Sequence, residues 1–201
     1  MSYDPPRPAG RLLLTPEDRE APARIRRLSG LGLGERPEPA LDAFADRLAE
    51  LAGAPYAMVN FIGEERQFFA GLHVPAATGI NGSGSGSGAD SEDVKPRLGR
   101  RLPRNQGFCP YVVVRRKALV LEDVRDYPRF AGNPVVDEFG IHSYLGAPVI
   151  DTTGMALGTV CVADIEPRPW GRAGLETIKE MAAELAGRLA PLAPGEGGGL
   201  L

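Results

Sequence analysis

Two pairs of apolar segments, each joined by a short polar turn, constrain the fold of this chain more than any other feature. The segments are residues 56–62 with 66–72, and residues 142–150 with 157–164. Such spacing is typical of β-hairpins, whose two strands run antiparallel. A further short strand is predicted over residues 118–121. The pattern therefore predicts an α+β fold with an antiparallel sheet, and it disfavours a succession of βαβ units.

The periodicity of apolar residues predicts three helices around these strands. The first is expected to begin at Thr15, an N-cap that precedes Pro16 and has Asp18 placed to complete a capping box. The second ends before Gly53, which supplies a left-handed C-terminal residue. The third precedes the glycines near the C-terminus. The predicted ranges are 15–28, 37–52 and 172–189.

Composition divides the chain into one domain with flexible ends. Residues 1–14 are Pro-rich and are predicted to form a flexible arm, and residues 15–36 form an N-terminal helix and linker. The domain itself is predicted over residues 37–192, and residues 193–201 form a disordered tail. A Gly/Ser tract at about residues 79–92 is predicted as a flexible surface loop, natural or engineered.

Charge and cysteine content favour a soluble cytoplasmic protein without nucleic-acid or membrane partners. The formal net charge is −3, and the arginine cluster within residues 97–104 is interpreted as a solvated loop. No segment has the length and apolarity of a membrane span, and the N-terminus lacks the apolar core of a signal peptide. The two cysteines, Cys109 and Cys161, make no disulfide framework, which fits a reducing compartment.

Several motifs in the chain together resemble a GAF domain. They are GFCPY, LVLEDVRDYPRFAGNPVV and GIHSYLGAPVIDTTGMALGTVCVADIEPRPW, preceded by PYAMVNFIGEERQFFAGLHV. The resemblance covers about residues 37–192. It implies a GAF/PAS-like central antiparallel sheet of about six strands with helices on both faces.

The resemblance also implies a role. It is that of a bacterial regulatory domain in signal transduction, which senses a small molecule or binds a partner protein. With no output segment in the sequence, we expect the signal to pass to a partner signalling protein or through a homodimer formed by the first and last helices.

A ligand pocket is implied on the sheet face opposite the first and last helices. Its wall would come from residues 105–114 and 130–139, and its floor from the strands. The expected pocket residues are Phe61, Phe108, Cys109, Tyr111, Phe130, Phe139, His142, Tyr144 and Cys161. Strand alternation leaves open whether Thr159 and Cys161 or Val160 and Val162 face this pocket, because both faces of the sheet are covered.

The functions considered as alternatives to ligand sensing both depend on Cys109. Some GAF proteins resemble free methionine-(R)-sulfoxide reductases, which use cysteines in the pocket loops, and Cys109 falls near one such position. The alternatives to a sensing domain are therefore a reductase-like enzyme and a thiol redox sensor that uses Cys109. The chain departs from the reductase pattern, since residues 126–139 contain no cysteine. Packing is the favoured interpretation of both cysteines.

No cofactor is predicted. Bilin-binding GAF domains attach their chromophore through a cysteine commonly followed by histidine, whereas proline follows Cys109 and valine follows Cys161. The chain has two histidines, His73 and His142, and haem would have to be held by only one of them as its axial ligand, which disfavours haem. Their spacing from the cysteines matches no zinc motif. Neither a carboxylate pair nor a phosphate-binding loop is recognisable.

Overall fold

The computed structural model describes residues 15–75 and 98–192, and a six-stranded antiparallel sheet lies at the centre of this part of the chain. The strands are β1 (Tyr56–Ile62), β2 (Arg66–His73), β3 (Arg101–Pro103), β4 (Leu119–Leu121), β5 (Ser143–Ile150) and β6 (Ala156–Asp164). The helices are α1 (Ala21–Gly30), α2 (Pro39–Ala52), α3 (Cys109–Arg115), α4 (Pro134–Phe139) and α5 (Gly171–Leu189), with 3-10 turns at Val124–Asp126 and Ala190–Leu192.

The two predicted hairpins are present and form the middle of the sheet. The strand order is β3-β2-β1-β6-β5-β4, so each hairpin pairs internally and the two meet where β1 pairs with β6. In the turn between β5 and β6, the Asp151 carboxylate accepts hydrogen bonds from the backbone nitrogens of Thr153 and Met155 at 2.9 and 3.1 Å. The predicted α+β fold with an antiparallel sheet is confirmed.

Helices cover both faces of the sheet, and alternate residues of each strand point to different layers. On one face, α2 and α5 pack against an apolar core that includes Val59, Val160 and Val162. On the other face, α3 and the loops around α4 pack against Met58 and Cys161. The central strands are therefore buried on both sides, which explains why their sequences are apolar almost throughout.

Helix α1 begins at Ala21, so the predicted start at Thr15 is wrong. The Asp18 side chain pairs with the guanidinium of Arg24 instead of closing a capping box. Arg24 is fully buried, and its Nε donates to the Ile62 carbonyl at 2.8 Å. A buried guanidinium requires a carboxylate partner, and this requirement fixes the place of Asp18.

The described part of the arginine cluster, residues 98–104, is not a solvated loop. Residues Arg101–Pro103 form the edge strand β3, in which Leu102 is buried opposite Gln67. Arg100 donates to the Asp42 carboxylate at 2.9 Å, and Arg104 donates to the Pro16 carbonyl at 3.0 Å. Arg100 thus holds the edge of the sheet to α2, and Arg104 holds it to the segment before α1.

Several expectations fall outside the described residues. The Pro-rich arm of residues 1–14, the Gly/Ser tract of about 79–92 and the tail of residues 193–201 are among them. Within the described residues, no helix has both the length and the apolarity needed to cross a membrane.

Candidate functional site

A small cavity lies between the sheet and helices α3 and α4. Its volume is about 40 Å³. Among the side chains that line it are those of Met58, Phe108, Cys109, Val135, Phe139, Ile141, Tyr144 and Ala163. Because the loop before α3 and the loops around α4 both fold over this face, the cavity is lined by residues far apart in sequence.

The two cysteines meet beside this cavity. Cys109 is the first residue of α3, and Cys161 lies in the middle of β6. Their sulfur atoms are 3.6 Å apart, and both side chains are buried. The open question of strand orientation is thereby answered: Cys161 belongs to the layer that contains α3, whereas Val160 and Val162 belong to the layer of α2 and α5.

Tyr144 reaches the same point from β5. Its hydroxyl oxygen lies 3.3 Å from the Cys109 sulfur. The ring passes over Gly146, where an added Cβ would overlap the tyrosine hydroxyl group. Glycine at position 146 therefore leaves the space that allows Tyr144 to contact the thiol.

Hydrogen bonds make the two thiols chemically unequal. The hydrogen bond from Cys161 is the largest cause that lowers the pKa of Cys109 to about 6, with burial acting against it and Thr159, Tyr144 and Asn60 as further donors. The same hydrogen bond, together with burial, raises the pKa of Cys161 well above its ordinary value. These hydrogen bonds favour the thiolate form of Cys109, with Cys161 as the protonated partner that donates to it.

Two buried amide side chains extend this polar group across the sheet. The Asn60 Nδ2 donates to the Gln67 Oε1 at 2.8 Å. Gln67 in turn donates to the carbonyls of Pro103 at 3.0 Å and Gln106 at 2.5 Å. The Asn60 Oδ1 is buried and has no hydrogen-bond partner among the described residues. Gln67 thus ties the loop before α3 to the sheet.

Asn133 holds the same loop from the other side. Its Oδ1 accepts from the Gly107 nitrogen at 2.8 Å, and its Nδ2 donates to the Gly107 carbonyl at 2.9 Å. The Asn133 Oδ1 also caps α4 by accepting from the Val135 nitrogen. Gly107 has a φ of 75°, a conformation that favours glycine. Phe108 and Cys109 are therefore placed by a loop that is anchored at both ends.

An aromatic cluster forms the outer part of the site. The Phe108 ring lies 5.8 Å from Phe130 and 5.1 Å from Tyr144, measured between ring centroids. The Tyr111 ring lies 5.0 Å from Phe130 in an edge-to-face arrangement. These contacts fill the space between α3 and the segment before α4.

Most of the expected pocket residues lie in this layer. Phe108, Cys109, Phe139 and Tyr144 line the cavity, and Tyr111, Phe130 and Cys161 pack around it. The expectation for Phe61 is wrong, because this side chain belongs to the apolar core under α2 and α5.

The expectation for His142 is also wrong. The residue is half-buried just before β5 and is not part of the cavity wall.

The sequence reasoning missed Asn60 and Gln67. Both are polar residues inside otherwise apolar strands, YAMVNFI and RQFFAGLH, and both are buried. That position was the signal that could have identified them, since a buried polar side chain needs a specific partner. Within residues 15–75 and 98–192, no three His, Cys, Asp or Glu side chains form a group able to hold a metal ion.

Comparisons with known proteins agree with this architecture. A family model described as GAF domain matches residues 36–189. A cyclic di-GMP phosphodiesterase of Pseudomonas aeruginosa is 31% identical over 157 residues, which is 76% of this chain and 22% of that protein. The chain therefore spans about a fifth of the length of this curated relative.

Solved structures share the fold at low sequence identity. The GAF domain of an Acinetobacter phosphoenolpyruvate-protein phosphotransferase has a TM-score of 0.52 and 17% identity, covering 86% of this chain and 94% of that one. A free methionine-R-sulfoxide reductase from Neisseria meningitidis, solved with its substrate, has a TM-score of 0.53 and 15% identity, covering 87% and 92%. At these identities the likeness concerns the fold alone.

Proposed function

This chain belongs to the GAF domain family, and from that premise we propose that it is a regulatory sensing domain of signal transduction that receives its signal between the sheet and helices α3 and α4. The observation that carries this proposal is the contrast between the two faces of the sheet. The face under α2 and α5 is closed by apolar side chains. The opposite face buries two thiols, a tyrosine hydroxyl and the amides of Asn60 and Gln67 beside a cavity.

Hydrogen bonds satisfy only part of that polar group: Gln67 makes three, whereas one oxygen of Asn60 makes none among the described residues. A buried polar atom without a partner costs about 1–3 kcal/mol, and the Asn60 Oδ1 is such an atom. Retention of a polar cluster at this cost supports a role in sensing.

The size of the cavity supports coupling between ligand entry and movement. A volume of about 40 Å³ is near that of one water molecule, whereas sites for drug-sized ligands measure about 300–1,000 Å³. A ligand of several heavy atoms would therefore enter only when α3 or α4 shifts, and the shift would be the signal. Larger depressions of about 650 and 620 Å³ lie elsewhere; neither includes the thiols or Asn60, and Gln67 borders only the first of them.

The proposal extends to the surroundings of the domain. The name of the Pseudomonas aeruginosa relative suggests cyclic di-GMP turnover as an output that such a domain would regulate. A small-molecule ligand, a partner signalling protein, a cytoplasmic location and a homodimer through the first and last helices belong to the same proposal.

A chimeric enzyme tests the regulatory role. The aligned segment of the Pseudomonas aeruginosa phosphodiesterase is replaced by this chain, and cyclic di-GMP hydrolysis is measured with and without Ala163→Leu. Ala163 lines the cavity, so the larger side chain fills it and is expected to change the rate several-fold. Thr152→Leu adds a large apolar side chain at an exposed position in the turn between β5 and β6, away from the cavity and from the helices proposed for dimerisation; it is the control and is expected to leave the rate unchanged. Identical rates for both folded variants and the parent chimera would contradict the proposal.

A free methionine-(R)-sulfoxide reductase is the second candidate, favoured by the 3.6 Å separation of the two thiols. The assay is consumption of free methionine-(R)-sulfoxide with dithiothreitol as reductant. A sensing domain is expected to show no turnover. Turnover that Cys109→Ser abolishes would establish the enzyme instead.

A further inference from the structure

The two thiols are close enough to be joined by a small movement. A disulfide places its sulfur atoms about 2.05 Å apart, so the sulfurs of Cys109 and Cys161 need to approach by roughly 1.5 Å from their separation of 3.6 Å. No third metal-ligating side chain joins them in the described parts of the chain. The chemistry open to this pair is therefore oxidation of the thiols rather than metal binding by a complete ligand set.

We propose that Cys109 and Cys161 are an oxidant-responsive modification site, at which a small hydroperoxide converts the thiol pair into a reversible disulfide within the domain. This proposal rests on the sensing role assigned to the same site, and it names the chemical class of the signal.

Position assigns different roles to the two cysteines. Cys109 lines the cavity and is 5% exposed, whereas Cys161 is fully buried behind it in β6. An oxidant in the cavity therefore meets Cys109 first. The Tyr144 hydroxyl and the Cys161 thiol lie within hydrogen-bond distance of the Cys109 sulfur and favour its thiolate, which is the reactive form. Cys161 is then the resolving thiol.

The walls of the cavity select the oxidant by size and polarity. Its volume suits a molecule with about as many heavy atoms as hydrogen peroxide. The surrounding side chains of Phe108, Val135 and Phe139 are apolar, so a charged oxidant would lose its hydration on entry. Glutathione disulfide and aromatic hydroperoxides are too large to reach Cys109 without displacement of α3 or α4.

The reaction proceeds in two balanced steps. The Cys109 thiolate attacks one oxygen of hydrogen peroxide; an S–O bond forms, the O–O bond breaks, and the departing hydroxide takes up a proton and leaves as water. The Cys109 sulfur is thereby oxidised by two electrons to a sulfenic acid. Cys161 then loses its proton and attacks that sulfur; the S–S bond forms, the S–O bond breaks, and the hydroxyl leaves with the proton as a second water. In total, two thiols and one hydrogen peroxide give one disulfide and two waters.

The test is peroxide oxidation of the whole chain in its reduced form. Wild type, Cys109→Ser and Cys161→Ser are treated with hydrogen peroxide, blocked with iodoacetamide and examined by intact mass and peptide mapping. Wild type is expected to lose two hydrogen atoms, to show a peptide linked through residues 109 and 161 within one chain, and to recover both thiols with dithiothreitol. Cys161→Ser is expected to accumulate a dimedone-reactive sulfenic acid at Cys109. Cys109→Ser is expected to react at Cys161 at least tenfold more slowly.

Controls separate the proposal from simple thiol exposure. Circular dichroism establishes that each variant is folded, and Cys161→Ala replaces Cys161→Ser if the serine variant unfolds. Cumene hydroperoxide and glutathione disulfide are expected to oxidise the wild type at least tenfold more slowly than hydrogen peroxide.

Three results would overturn the proposal: disulfides formed between chains, equal oxidation of Cys161 in Cys109→Ser, or equal rates with the bulky oxidants. If no disulfide forms while Ala163→Leu still alters the chimeric phosphodiesterase, the thiol chemistry fails and the sensing role stands. If a disulfide forms but Ala163→Leu leaves the chimeric phosphodiesterase unchanged, the thiol chemistry stands and the sensing role fails.

Discussion

Replacement of Asp18 by asparagine is expected to destabilise the fold by about 3–5 kcal/mol. The Asp18 carboxylate pairs with Arg24, whose side chain is 0% exposed, and lies 3.4 Å from the Arg104 Nη2. Asparagine has nearly the same shape but no charge. The substitution therefore leaves a buried guanidinium without its counter-ion while changing little else in the packing.

Arg24 cannot leave its buried position without losing two hydrogen bonds to backbone carbonyls. Its Nε donates to the Ile62 carbonyl at 2.8 Å, and its Nη1 donates to the Ala156 carbonyl at 3.4 Å, at the ends of β1 and β6 that lie beside each other. Movement of the guanidinium into water would leave these carbonyls unpaired, at about 1–3 kcal/mol each. If the side chain stays, the charge is unpaired, at about 3–5 kcal/mol. Either loss is a large part of the roughly 5–15 kcal/mol that stabilises a domain.

Urea denaturation measures this loss. Trp170 is the single tryptophan of the chain, is buried and donates to the Leu121 carbonyl at 3.2 Å, so its fluorescence reports unfolding. Glu176→Gln is the matched control, because it neutralises an ion pair with Arg172 whose side chains are 57% and 89% exposed. That control is expected to cost less than about 0.5 kcal/mol. A loss below about 1 kcal/mol for Asp18→Asn would refute the argument that burial sets the cost of the lost charge.

Three further outcomes are expected. Tyr144→Phe removes a hydrogen bond to Cys109 and should raise the pKa of that thiol, so the midpoint of iodoacetamide alkylation against pH moves upward; an unmoved midpoint would contradict the contact. The pKa of Cys109 in the folded protein, about 6, lies below its ordinary value of 9.0. Ionisation of Cys109 should therefore stabilise the fold increasingly as pH rises from 6 to 9, and this contribution should be lost as pH falls back through 6. The difference in urea midpoint between wild type and Cys109→Ser should widen over that range, and parallel curves would refute this. Asn133→Ala should cost about 2–3 kcal/mol in urea denaturation by freeing Gly107, and unchanged stability would show that the loop needs no anchor.

The parts of the fold that local pattern determines were predictable. Both hairpins follow from apolar segments and short turns, and α2 and α5 follow from helical periodicity, since each signal lies within one element. The start of α1 was not predictable, because Asp18 is placed by Arg24, whose acceptors lie at residues 62 and 156. Strand β3 is three residues long and exists through its pairing with β2, which no local pattern records.

The site was predictable in its motif but not in its detail. Cys109 and Tyr144 lie in segments that resemble the family, and the structure brings them into contact. Phe61 was assigned to the wrong face because β1 is apolar on both sides, so alternation gives two equally good choices. Asn60 resolves that choice: it shares a polar group with Gln67 on the thiol side, and the neighbouring Phe61 must point the other way.

The proposed disulfide closes by movement of α3 rather than of the sheet. Cys161 lies in β6, which is paired along its length with β1 on one side and β5 on the other, so its displacement would disturb both ladders. Cys109 begins a helix of seven residues, and the loop before it is held by the side-chain amides of Gln67 and Asn133. Loss of one such hydrogen bond costs only about 1 kcal/mol. Hydrogen exchange of the oxidised protein is therefore expected to change across residues 104–115 and to stay the same in β6, and a change centred on β6 would contradict this direction of movement.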